Sequence, residues 1–163
     1  MKKITLLRNT LFLLLITANI GCDQISKSMV RGRLEYHEEI SFAGKHFLLT
    51  KVENSGAFLS LGDDLSPLLK TIFLNLLPAL TMLGLIFWLF KGEFSKGMAL
   101  GICCIIGGGI GNIIDRVAYG SVTDFLYIHY GFFRTGVFNL ADVSITFGAL
   151  FIIALQIWKG WKD

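Results

Sequence analysis

Along this chain the apolar positions gather into four long stretches, with the polar positions in the shorter segments between them. A helix crosses hydrocarbon with roughly 20 predominantly apolar residues, and the stretches at about residues 6–29, 68–90, 97–114 and 137–158 meet that requirement. Each is predicted to span a membrane. Pro67 suits the first turn of the second span, where its missing N–H has no helical partner to lose, and Pro78 is expected to kink that span. Between the first two spans, "ISFAGKHFLLTKVENSGAF" carries β-branched and aromatic residues broken at Ala43 and Gly44 and again at Asn54, Ser55 and Gly56. This predicts a small strand pair within about residues 34–60. The segment before the last span, "RVAYGSVTDFLYIHYGFFRTG", is rich in Phe and Tyr and is expected to lie in the headgroup layer as an interfacial helix or loop. The pattern therefore predicts a mainly α membrane protein, with four transmembrane helices and a small extracytoplasmic β-sheet in a single domain over residues 1–163.

Composition supports this reading: 53% hydrophobic residues and a mean hydropathy of +0.63 exceed what a soluble domain carries. The basic residues then orient the chain. Lys2, Lys3 and Arg8 precede the first span, Lys91 and Lys96 lie between the second and third, and Lys159 and Lys162 follow the fourth. Positive residues favour the cytoplasmic side, so both termini are expected there. The first external segment sets Glu35, Glu38, Glu39, Glu53, Asp63 and Asp64 against Arg31, Arg33, Lys45 and Lys51, and has no positive excess. The net charge of +3 is modest and scattered, unlike the basic stripe that tracks phosphates, so no nucleic acid is expected as a partner. His37, His46 and His129 lack ligand spacing, and no metal or other cofactor is expected. Cys22, Cys103 and Cys104 read as small apolar residues. A basic start followed by Gly21 and Cys22 imitates a cleavable leader, but Asn19 stands where such a leader has Leu, and more membrane sequence follows; the segment is taken as a retained span.

The acids carry the functional question. A carboxylate at a helix centre in hydrocarbon costs about 2.5 kcal/mol or more, so it needs a partner and a task. Asp142 lies near the external start of the fourth span, one turn after Asn139, and Asp124 lies in "SVTDF" on the same side. The intervening chain is long enough to fold back and bring them face to face. Two carboxylates in a partly dry site hold one proton between them, which allows one to activate water while the other protonates a scissile carbonyl or leaving amine. The alternatives are that each Asp caps a local turn, or that the pair carries ions. Capping and catalysis weigh equally on position alone, whereas transport would place acids nearer the midplane. In "GGGIGNIIDR", residues 107–116, the glycines permit close helix packing, and Asn112, Asp115 and Arg116 share a helical face at the external end. Asp115 and Arg116 could instead meet lipid headgroups. Asp23 and Lys27, one turn apart, are expected to pair and reach the interface.

Five blocks in order, "DQISK" at residues 23–27, "VENSGAF" at 52–58, "GGGIGNIIDR" at 107–116, "VTDF" at 122–125 and "FNLAD" at 138–142, resemble those of the bacterial lipoprotein signal peptidases, also called signal peptidase II or prolipoprotein signal peptidases. The resemblance covers nearly the whole chain. It implies a four-span aspartic endopeptidase of the bacterial inner membrane that removes signal peptides from prolipoproteins, cutting before a diacylglyceryl-modified cysteine. Its partners would be that substrate and membrane lipid, and one copy of the chain is expected to suffice. Carried over by motif, Asp124 and Asp142 form the catalytic dyad. Asn54, Asn112, Arg116 and Asn139 hold the substrate, while Asp23, Gly108 and Asp115 support the site. Two departures, Phe58-Leu59 after the second block and "TGVFN" in place of a Trp-Pro before the last, concern the lid over the substrate and leave the dyad untouched.

Overall fold

A computed structural model describes residues 2–42, 46–57 and 61–160. The expected break at Ala43 and Gly44, the exposure of Lys45, the departure at Phe58-Leu59 and the anchor Lys162 lie outside the described residues. The elements are α1 (Lys2–Arg33), β1 (Glu39–Phe42), β2 (Phe47–Asn54), α2 (Pro67–Lys70), a π-helical turn (Thr71–Leu76), α3 (Leu77–Lys91), α4 (Lys96–Tyr119), β3 (Val122–Tyr130), β4 (Phe133–Arg134) and α5 (Leu140–Gly160). Four helical stretches are long and apolar enough to cross a membrane: 5–33, 67–91, 96–119 and 140–160. In α4, 56% of the most apolar window is buried inside the protein, against 11% in each of the others, so α4 is the axis on which the rest pack.

Glycine makes that axis possible. A Cβ at Gly108 would stand 2.4 Å from the carbonyl oxygen of Ala141 in α5, and one at Gly111 would stand 2.5 Å from Asp23 Oδ2 in α1. Helix backbones approach this closely only where side chains are absent. The membrane core is a cluster of Phe12, Ile16, Leu89, Ala99, Ile102, Cys103 and Ile106, drawn from α1, α3 and α4. Pro78 acts by widening its helix: its ring would collide with the carbonyl of Leu74, and the π-helical turn ends just before it.

The sheet is antiparallel throughout, in the order β1-β2-β3-β4. It is larger than the strand pair expected from the first external segment. The aromatic segment expected in the headgroup layer as a helix or loop supplies β3 and β4. Residues Val122 to Phe125 of β3 are buried in succession, so no alternation marks them as a strand in the sequence. α1 runs on to Arg33, and its outer end packs Val30 and Leu34 against Phe125, which sets the sheet on the bundle.

Candidate active site

Two non-local pairings bring Asp124 and Asp142 together. β2 pairs with β3 so that Val52 faces Asp124 and Asn54 faces Val122, with a bulge between Leu49 and Val52. After the β3–β4 hairpin the chain returns along β3: Phe138 N–H donates to Leu126 at 2.8 Å, and Leu126 N–H donates to Phe138 at 2.7 Å. Asn139 is thereby delivered beside Asp124. Asn139 is also the cap of α5, because its Oδ1 accepts from Asp142 N–H at 3.0 Å while Asp142 Oδ2 accepts from Asn139 N–H at 3.2 Å. This is a reciprocal capping box. The capping and catalytic readings of Asp142 are therefore compatible, since its other oxygen, Oδ1, accepts from Asn112 Nδ2 at 2.9 Å. Asp124 caps nothing; it lies within a strand and only 3% of it is exposed.

Both oxygens of Asp124 accept amide hydrogen bonds, Oδ2 from Asn54 Nδ2 at 3.0 Å and Oδ1 from Asn139 Nδ2 at 2.6 Å. The fully buried Asn139 thus touches both carboxylates. Asp124 and Asp142 line one cavity of about 20 Å³ with Asn54, Asn112, Arg116 and Val137, space for about one water molecule. Burial raises the Asp124 carboxyl to about 6, and the negative charge of Asp142 adds to the rise, against the opposing hydrogen bonds from Asn54 and Asn139 and the charge of Lys27. Arg116 donates from a terminal nitrogen to the carbonyl of Gly56 at 3.0 Å, and its buried Nε has no protein partner among the described residues. Ser55 donates to Asp63 and accepts from Lys70 Nζ at 2.9 Å, which ties the chain beside Asn54 to the start of the second span. An apolar groove of about 570 Å³, lined by Phe133, Phe138, Val143, Phe147 and Leu150, also includes Asp142.

Behind the carboxylates lies a second charged cluster. Asp23 and Lys27 pair at 2.8 Å as expected, but they are 1% and 0% exposed and do not reach the interface. The close approach of α4 at Gly111 covers them. Asp115 is equally buried, so it has no contact with headgroups. It takes Lys27 at 3.1 Å, Arg31 at 2.7 Å, Gln24 Nε2 at 3.1 Å and Thr123 N–H at 3.2 Å. Asp23 Oδ1 accepts from Ala141 N–H at 3.0 Å and so fixes the first turn of α5. Of Asn112, Asp115 and Arg116, expected on one face, the first two share Lys27, whereas Arg116 reaches the carbonyl of Gly56. Lys27, Gln24, Arg31 and Thr123 were not selected from sequence as site residues. The available signal was the spacing of Asp23, Lys27 and Arg31, a polar stripe four residues apart along an otherwise apolar helix. Among the described residues no three His, Cys, Asp or Glu side chains are grouped to hold a metal ion.

Residues 15–158 match the family described as Signal peptidase (SPase) II. Proteins described as lipoprotein signal peptidases resemble the chain over most of its length: that of Chromobacterium violaceum is 39% identical over 142 residues, covering 86% of each chain. That of Azoarcus sp. (strain BH72) is 35% identical over 148 residues, covering 90% of this chain and 80% of its own. That of Desulforapulum autotrophicum is 32% identical over 152 residues, covering 92% and 93%. Two solved structures of bacterial membrane enzymes, obtained by the in meso method, share the fold. One has a TM-score of 0.83 at 23% identity, covering 94% of this chain and 92% of its own, and the other 0.77 at 24%, covering 90% and 92%. The matched residues contain all five sequence blocks, the sheet and most of each membrane helix, and the chain belongs to the signal peptidase II family.

Proposed function

We propose that the chain is a single-domain aspartic endopeptidase that removes prolipoprotein signal peptides by cutting before the diacylglyceryl-modified cysteine, with Asp124 and Asp142 as its dyad. The observation that carries the reading is the shared cavity of the two carboxylates, joined through Asn139 where β3 meets the start of α5. Asp124 is the member of the pair that takes the shared proton. Asp142 removes a proton from water as the water oxygen attacks the scissile carbonyl carbon, and Asp124 gives its proton to the carbonyl oxygen. On collapse of the tetrahedral diol the C–N bond breaks. Asp142 then protonates the departing cysteine nitrogen, and a diol hydroxyl proton returns to Asp124.

Asn54, Asn112, Arg116 and Asn139 position the carboxylates and the substrate backbone. The unpartnered Nε of Arg116 is a donor available to a substrate carbonyl. Asp23, Gly108 and Asp115 support the site by holding α1, α4 and α5 together. The apolar groove that includes Asp142 suits the acyl chains of the modified cysteine. The chain needs no cofactor, acts as a monomer, and lies in the bacterial cytoplasmic membrane with both termini inside and the dyad near the external face. The test is cleavage of a diacylglyceryl-modified prolipoprotein by the purified chain in detergent, without an ion gradient. Absence of cleavage by folded protein would overturn the proposal.

A further inference from the structure

Lys27 has no exposed surface, and its ammonium faces three acceptors: Asp23 Oδ2 at 2.8 Å, Asp115 Oδ2 at 3.1 Å and Asn112 Oδ1 at 2.9 Å. An ammonium only donates. The end of Asn112 that faces Lys27 is therefore oxygen, and the other end, Nδ2, faces Asp142 Oδ1 at 2.9 Å. The same oxygen of Asn112 requires a donor from Asn139, whose Nδ2 lies 3.2 Å away and also reaches Asp124 Oδ1 at 2.6 Å. Asn139 Oδ1 is then left to accept from Asp142 N–H at 3.0 Å. The two ends of an amide are nearly equal in shape, so Asn112 by itself fits its place in either orientation. Turned over, it would present oxygen to Asp142 Oδ1 and leave that oxygen either without its donor or protonated, and a protonated Asp142 cannot serve as the base.

The geometry points to Lys27 as a positioning residue for the peptidase reaction: acting through the amides of Asn112 and Asn139, it fixes the direction of the hydrogen bonds that reach both carboxylates. The inference rests on the dyad assignment above. A purely structural Lys27 would only neutralise Asp23 and Asp115 between α1 and α4, so its loss would reduce the folded fraction and leave turnover per folded molecule unchanged.

Lys27→Met leaves a buried acid uncompensated and is open to misfolding, so it is paired with Lys27→Met/Asp23→Asn, which removes one charge of each sign and leaves Asp115 with Arg31. Each is assayed in detergent with a diacylglyceryl-modified prolipoprotein, with rates normalised to folded protein. The expected result is a fall in kcat of about 10²-fold with KM within about twofold, because a fully buried side chain touches no substrate. In an Asn112→Ala background the same Lys27→Met/Asp23→Asn change should lower kcat by less than about threefold, since Lys27 acts through Asn112. A wild-type kcat per folded molecule, or a loss of full size in the Asn112→Ala background, overturns the role of Lys27. Asp142→Asn is run alongside: turnover in that variant refutes the dyad itself, whereas an inactive Asp142→Asn beside a fully active Lys27 variant refutes only the positioning role.

Discussion

Asp124→Asn separates the charge of Asp124 from its hydrogen bonds, and the two effects have opposite signs. In the folded protein the carboxyl is raised from 3.8 to about 6. Keeping it ionised above that pH therefore costs the fold about 3 kcal/mol relative to the unfolded chain. For a group with raised proton affinity, the stabilisation is fully present below the unfolded value near 3.8 and is lost as the pH climbs through about 6. The Asn variant escapes that cost. It also loses a bond, because Asn54 Nδ2 and Asn139 Nδ2 donate to different oxygens of Asp124 and an amide offers only one oxygen. The donor left over costs about 1–3 kcal/mol. The two terms nearly cancel at pH 7.5. At pH 4.5 the wild-type carboxyl is mostly protonated and recovers about 2 kcal/mol that the variant cannot, so the variant should be the less stable of the two there. Equilibrium unfolding of both proteins in mixed detergent micelles at the two pH values gives the difference directly, and other titrating groups cancel between them. Cleavage by the variant should be abolished at both. A stability difference independent of pH would refute the raised proton affinity of Asp124, and measurable turnover by folded variant would remove it from the dyad.

Asp142→Asn keeps an oxygen able to accept from Asn139 N–H and so preserves the cap. Its amide cannot also accept from Asn112 Nδ2, so the variant should lose about 1–3 kcal/mol of stability while remaining folded and losing nearly all cleavage, and the Asp124→Asn/Asp142→Asn pair should be scarcely slower than either single variant, as read in single-turnover assays. Arg116→Lys retains the charge but not the forked geometry, and is expected to reduce kcat/KM by on the order of 10² or less; unchanged activity would rule out a guanidinium contact to substrate. Gly108→Ala would set a methyl 2.4 Å from the carbonyl oxygen of Ala141. It should destabilise the fold by about 1–3 kcal/mol and displace the start of α5, seen as lower thermal stability together with lower kcat. With Cys22 replaced, a cysteine at position 39 should react with an impermeant thiol reagent in intact cells and one at position 93 should not; the opposite pattern would invert the topology.

Much of the fold is legible in the chain because a bilayer imposes a length on every apolar stretch, and that constraint is local. Residues 68–90 are predicted as a span and residues 67–91 form one. The third span is longer than its apolar run, ending at Tyr119, since Asn112 and Asp115 lie inside the protein and continue the helix where solvent or lipid would have ended the pattern. The aromatic segment was harder to read. The first half of β3, Val122 to Phe125, is covered on both faces, and a strand buried on both sides has no alternation to display.

The sequence by itself determined which residue types were available for chemistry: two acids beside the last membrane span, a set of asparagines, an arginine, and the ordered blocks that contain them. Only the tertiary structure decided their connections. Lys27 reaches Asn112 across 85 residues and Asp23 reaches the backbone of Ala141 across 118, contacts that exist because glycines let α1 and α5 approach α4 closely. A hydrogen bond is specified by the positions of both partners to within a few tenths of an ångström, whereas hydrophobic patterning specifies which face of an element is covered. The pattern therefore placed both acids on one side of the membrane, and helix packing selected the asparagine that joins them.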